Sequence, residues 1–562
     1  MNRKWIVLAG LVVVAITGLS WSDTEGNTAY EVEYKSRFLR LREGGVFLRR
    51  AIEENDLTTP EGLAKVNDAL TLARADMKNA DFWLRYLNPL VQKSINGPLP
   101  VEWETEVSEK DGKPYRRVGA GLTLAALYLE EPDFQKDSLL RLVQAAIDGT
   151  DAFAADSTTA QLSEHHHFFL CNRLFLLNLA AIYTTGFECP DTSLVIPELR
   201  SMMTAVRGIY VSFNSSFPST PVTETYLAKY DAAVAFANAQ PSSPWRFDHF
   251  DFIKQYVNPL FAMNQGFIND YKVSSASFVD HALSDASTSI FAKDLYYAQD
   301  TKGIFRRVQD VGTLARIDAL GKQLFFDPLL SGNNERSCAS CHLPDQFFAD
   351  TTAVTAIKFD HQGKLARNTP SLVNAPMNQL LMLDGKLTTL QQQAMTVMAE
   401  PSEMGAVHGD VLAKVMNCPD YRTELQALLK ATPQVKEVSM EHITSAITFY
   451  YGKFSAYRSP FDEAMDAGGT ISPDAHAGFN LFMSKAQCAT CHFVPQFNGV
   501  KPPFVGSEFE VLGTPSDSTG TALSNDLGRY GVNPAPETHR AFRTGSLRNN
   551  QYTCLLYTSR CV

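Results

Sequence analysis

Two short stretches hold the residues best suited to chemistry: "CASCH", with Cys338, Cys341 and His342, and "CATCH", with Cys488, Cys491 and His492. Two cysteines at i and i+3 share one face of a helical turn, and a histidine follows directly. That geometry matches a porphyrin edge, with two thiols for its vinyl groups and an imidazole turned toward iron, so C-x-x-C-H reads as c-type haem attachment with the histidine as proximal ligand. A zinc site would need four ligands from more closely spaced pairs, and a thioredoxin-like dithiol would not call for the histidine twice. The spacing therefore predicts two covalently bound c-type haems, His342 and His492 each holding one iron.

The elements that must position these residues repeat. "ALGKQLFFDPLLSGNNERSCASCH" and "AHAGFNLFMSKAQCATCH" both run from an amphipathic helix carrying Leu-Phe through a loop into the motif. Ahead of them, residues 23–305 show apolar residues at three- and four-residue spacing, as in "PEGLAKVNDALTLARADM", broken by Pro- and Gly-rich stretches. The expected fold is all-α: a helical N-terminal domain at 23–305, a first cytochrome-c-like haem domain at 306–465 and a second at 466–553. The last nine residues, 554–562, read as a non-native tail.

The start, "MNRKWIVLAGLVVVAITGLSWSDTEG", places Arg3 and Lys4 before an apolar run, the pattern of a secretory signal over residues 1–22; the other reading is an uncleaved membrane anchor. Either way the body is expected to be exported to the periplasm. There Cys171 and Cys189 are read as a disulfide or as two buried thiols. The formal charge of −11 argues against nucleic acid. The run His165, His166 and His167 points in different directions on a helix and makes a poor metal site.

Residues from about 312 to 553 resemble the bacterial di-haem cytochrome c peroxidase family, which includes the methylamine-utilisation di-haem enzyme. The stretches that carry the resemblance are "GKQLFFDPLLSGNNERSCASCH", "RNTPSLVNA", "LDGKLTTLQQQAMTVMAEPSEMG", "LFMSKAQCATCH", "NDLGRY" and "FRTGSLRN". The resemblance implies a peroxidatic haem on Cys338, Cys341 and His342 and an electron-relay haem on Cys488, Cys491 and His492. It implies catalytic roles for Glu403, as distal acid/base, and for Gln393, ten residues earlier. It also implies calcium between the haems, held by Asn368 and Thr553, the other reading of Asn368 being a structural cap; in some family members a distal histidine leaves on reduction, and His361 is read either as that ligand or as a surface histidine of the polar loop "KFDHQGK". The chain departs from the family at Leu383, where many relatives carry a tryptophan, and after "SLRN", where the second haem's usual sixth ligand does not follow; His539 is the candidate replacement.

The expected function is an exported peroxidase reducing hydrogen peroxide with electrons from a small donor protein, a cytochrome c or cupredoxin, with a second copy in a homodimer as a candidate partner. The alternatives are a di-haem oxidase acting on a partner protein and a non-enzymatic electron carrier. A distal acid/base is of no use to a carrier, so Gln393 and Glu403 weigh against the last.

Overall fold

The computed structural model describes residues 28–104, 115–275, 277–454, 459–466, 468–516 and 519–550. The expected leader at 1–22, Thr553 and the expected tail at 554–562 lie outside these residues.

Helices dominate, as the periodicity predicts, and their starts are chemically marked. Thr28 caps helix Ala29–Glu54 in a capping box with Glu31, and Thr59 followed by Pro60 opens helix Pro60–Leu87. The sequence lacks polar residues around most of helix His166–Ala181, and the structure buries that helix on all sides, from His167 to Ala181. Its polar residues are satisfied internally. Asn172 donates to Tyr226 and Asn264, and Arg173 pairs with Asp280 at 2.6 Å. His167 is buried too, its Nδ1 at 2.7 Å from the Glu164 carbonyl and its Nε2 at 2.9 Å from the Tyr30 hydroxyl. The triple histidine is thus built into the fold by its third member.

The expectation of helices throughout needs amending by two short antiparallel strand pairs, Val101–Glu104 with Tyr115–Val118 and Phe509–Val511 with Ala541–Arg543. Both are local additions at segments too short and too charged to form a helix with a continuous apolar stripe. Cys171 and Cys189 are separate buried thiols, not a disulfide.

The hydrophobic cores do not follow chain order. One core holds Phe305 to Tyr451 around the first CxxCH segment. Its centre is the crossing of helices Val311–Phe326 and Met440–Gly452, where a Cβ on Gly321 would stand 2.0 Å from the Ala446 carbonyl oxygen, so only glycine permits the approach. The other core runs from Tyr30 through Ala298 and continues into Phe479, Met483, Phe493, Val494 and Phe504. The helical first half and the segment around the second CxxCH therefore bury their apolar surface together. Phe250 meets Phe479 and His476 at ring-centroid distances of 6.0 and 4.9 Å, and Tyr296 stacks on Phe504 at 4.6 Å. Polar contacts fasten the same seam: Asp248 caps helix His249–Phe252 while accepting from Asn480 at 3.1 Å and standing 3.1 Å from His476 Nε2.

Candidate functional site

Each CxxCH forms one turn of 3-10 helix, Cys338–Ser340 and Cys488–Thr490, with matching hydrogen bonds. The His342 amide donates to the Cys338 carbonyl and the His492 amide to the Cys488 carbonyl, both at 2.9 Å. The chain then doubles back through left-handed residues, Phe347 and Phe348 after the first motif and Phe497 after the second. This return brings a carbonyl onto each histidine. His342 Nδ1 lies 3.0 Å from the Phe348 oxygen and His492 Nδ1 lies 3.0 Å from the Phe497 oxygen. A carbonyl can only accept, so each Nδ1 donates, and further backbone bonds to Pro370 and Gly545 help orient the His342 and His492 rings. Burial lowers the pKa of both imidazoles, which favours the neutral ring that a metal requires.

Among the described residues none of the four cysteines of the motifs is engaged in a disulfide. Two cysteine sulfurs and one neutral imidazole per turn form the donor set a c-type haem requires, and the residues fit that group at both motifs.

Around the first motif the structure gathers residues far apart in sequence. Gln393 is half-buried on helix Leu390–Ala399, which Thr389 caps and which ends in the turn carrying Glu403. Glu403 is half-buried, and its backbone is tied to Arg336, two residues before Cys338. Its own pKa is raised, first by desolvation and then by Glu400, with Lys386 and Arg336 pulling the other way.

Arg336, which the sequence reading passed over, organises this corner. Its Nη1 donates to the Glu403 carbonyl at 2.8 Å, and its Nη2 donates to the Lys358 carbonyl at 3.2 Å. Its guanidinium also sits 5.7 Å from the centre of the Phe359 ring. Phe359 in turn donates its amide to the Ser402 carbonyl at 2.9 Å and packs on Gly405, where a Cβ would stand 2.6 Å from the ring. Gly405 has φ +57°, so both its conformation and its space call for glycine. An arginine two residues before a CxxCH was the available signal.

His361 lies on this same stitched loop but is exposed, at φ +61° in the turn after Lys358. Asn368 is half-buried and makes no side-chain hydrogen bond among the described residues. Thr553, its expected partner in holding calcium, lies outside them. His539 is exposed and stands edge-on to Tyr530 at 5.4 Å.

The charged residues of the quoted stretches cross-link the two CxxCH regions. Arg367 bridges Asp384 and Asp526, at 2.8 Å each. Arg529 donates to the Gly385 carbonyl at 2.8 Å, and Arg543 donates to the Asn378 side chain at 2.6 Å. Arg548 grips Asp462 with two bonds, at 2.7 and 2.9 Å. The "RNTPSL", "LDGK", "NDLGRY" and "FRTGSLRN" stretches are thus one seam.

Two repeated haem-binding turns joined by such a seam define a di-haem c-type cytochrome. Comparison with known proteins agrees. The family model of the di-haem cytochrome c peroxidases matches residues 315–469. The methylamine utilization protein MauG of Methylorubrum extorquens is 30% identical over 289 residues, 50% of this chain and 74% of that protein. The cytochrome c551 peroxidases of Nitrosomonas europaea and Pseudomonas aeruginosa are each 30% identical, over 42% and 43% of this chain and 66% of each of those proteins. A solved MauG-like protein associated with microbial copper homeostasis is 28% identical with a TM-score of 0.37, covering 42% of this chain and 70% of that one. The chain belongs to the di-haem cytochrome c peroxidase family. It is an oxidoreductase of that class and carries two covalently bound c-type haems. No helix among the described residues is long and apolar enough to cross a membrane.

Proposed function

We propose that this protein is an exported peroxidase that reduces hydrogen peroxide to two molecules of water, taking two electrons from a small periplasmic cytochrome c or cupredoxin and two protons from solvent. In this reading the peroxidatic haem is attached at Cys338 and Cys341 with His342 as ligand, and the relay haem at Cys488 and Cys491 with His492. The haems, when bound, supply the iron chemistry of peroxide reduction and electron transfer.

The chain's own task is proton handling. Glu403 takes a proton from one peroxide oxygen and returns it to the other, which departs as water; a carboxyl whose pKa is raised toward the working pH serves as both base and acid. Gln393, on the helix leading into the Glu403 turn, shapes the pocket and orients peroxide by hydrogen bonding. Arg336 fixes the Glu403 backbone, which leaves the carboxylate free to exchange protons. Asn368, with its side-chain oxygen unengaged among the described residues, and Thr553 are the proposed calcium ligands; His361 is the proposed reversible ligand.

The observation that carries this reading is Glu403: half-buried, raised in pKa by desolvation, and held through its carbonyl by Arg336 at the start of the first haem turn. The test is steady-state oxidation of a reduced c-type donor by hydrogen peroxide, wild type beside Glu403→Gln. General acid–base catalysis of this kind contributes about 10²–10⁴-fold, so turnover should fall by that factor while both haems remain attached. Unchanged turnover in the variant would remove Glu403 from the mechanism. No turnover in the wild type, with the relay haem reduced beforehand, would favour a carrier or an oxidase acting on a partner.

A further inference from the structure

The helical first half reaches the second haem turn through one aromatic side chain. The Phe187 ring stands edge-on to Phe493 at 5.1 Å and 87°, and Phe493 is the residue after His492 and fully buried. Phe493 is the only ring that Phe187 meets among the described residues. Lys501 lies over the Phe187 ring, 5.3 Å from its centre, and is ion-paired with Glu508. Phe187 therefore touches both the residue that follows the histidine and the cation of the Lys501–Glu508 ion pair.

Phe187 is held there by a costly device. The next residue, Glu188, is gripped at both backbone and side chain inside the helical half. Its carbonyl accepts from Arg74 at 2.7 Å, and its carboxylate accepts from Arg85 at 2.6 Å, Lys78 at 3.0 Å and Asn96 at 3.1 Å. Arg74 is bound further to Glu198 at 2.8 Å. Charges buried this deeply gain little net stability, because desolvation offsets their attraction; what such a network supplies is a single geometry. Here it fixes a short loop that carries the half-buried Phe187.

We propose that Phe187 is a positioning residue for the second haem, sealing the His492 turn from water and so raising that haem's reduction potential. Ferric haem carries one more positive charge than ferrous haem, so excluding water favours the reduced form. This inference rests on the attachment of the relay haem at Cys488 and Cys491.

The test is a spectroelectrochemical titration of the full-length, haem-loaded protein. The variants are Phe187→Ala, Phe187→Leu and, as a control within the helical half, Phe134→Ala; Cys488→Ser/Cys491→Ser identifies which midpoint belongs to the second haem. In Phe187→Ala the ferrous-to-ferric ratio of that haem at fixed potential should fall between threefold and tenfold, a tenfold fall being about 59 mV for one electron. Phe187→Leu, which keeps an apolar plug, should recover most of the shift. The other haem and the Phe134→Ala protein should titrate as wild type. Unmoved midpoints in Phe187→Ala, or equal shifts in both haems, would overturn the role of Phe187. If Cys488→Ser/Cys491→Ser keeps two covalent haems by pyridine haemochrome count, the attachment itself is wrong and the inference falls with it.

Discussion

Replacing Arg336 with methionine keeps an unbranched apolar stem and removes two charge-assisted hydrogen bonds, at 2.8 and 3.2 Å, that tie the Glu403 and Lys358 carbonyls together. Bonds from a charged donor contribute about 1.5–3 kcal/mol each. Arg336 is half-buried, so the lower end applies and the pair is worth about 3 kcal/mol of loop anchoring. At 1.36 kcal/mol per decade that is on the order of 10²-fold in the population of the closed turn. The expected kcat/KM for peroxide falls by about 10- to 100-fold, while the melting temperature drops by only a few degrees because the loss is local.

The pH profile makes the prediction sharper. Glu403 has a raised pKa, with desolvation the main cause, and the Arg336 charge is one of two that hold it down. Removing that charge raises the Glu403 pKa further. The base form, which must take the first proton, is then lost at a higher pH as the medium is acidified. The acid limb of kcat/KM must therefore move to higher pH in Arg336→Met. Stopped-flow measurement of peroxide consumption from pH 4.5 to 8 reads this directly. An acid limb that stays in place or moves down would show that Arg336 does not act on Glu403 electrostatically. A full kcat/KM would show that its clamp is not needed.

Two further predictions concern the helical half. Burial lowers the His167 pKa from 6.5 to about 3, so between those values the unfolded chain binds a proton that the folded chain refuses. That contribution to stability is complete above pH 6.5 and is lost as pH falls, at up to about 1.4 kcal/mol per pH unit for one group. His167→Gln should flatten the dependence of denaturant midpoint on pH between 4 and 6.5, and an unchanged slope would count against His167 as its source. Separately, Asp248→Ala removes the cap of helix His249–Phe252 together with the contacts to Asn480 and His476. It should cost about 1–3 kcal/mol. Limited proteolysis should then speed up more in the second haem segment than in the first, because Phe479, Met483, Phe493, Val494 and Phe504 lie in the core of the helical half while the first segment centres on a core of its own; equal rates in both would refute the shared core.

The sequence by itself determined the chemistry that is local. Cys338, Cys341 and His342, like Cys488, Cys491 and His492, sit within one turn each, so their spacing alone dictates a common face. The caps at Thr28 and Thr59 are local in the same sense, since each is satisfied within three residues, although the structure rather than the spacing pointed them out. Glu403 was reached through family resemblance, because nothing in its neighbours distinguishes it from a solvated loop carboxylate. Tertiary structure alone decided how these pieces meet. The apolar faces of the helical half and of the second haem segment each read as ordinary amphipathic stripes, and a stripe does not name its partner. That Phe187 ends on Phe493, Arg336 on the Glu403 carbonyl and Asp248 beside His476 depends on complementary shape and charge across hundreds of residues. Periodicity carries no record of such pairings; packing does, because only one arrangement fills both cores and satisfies the buried charges together.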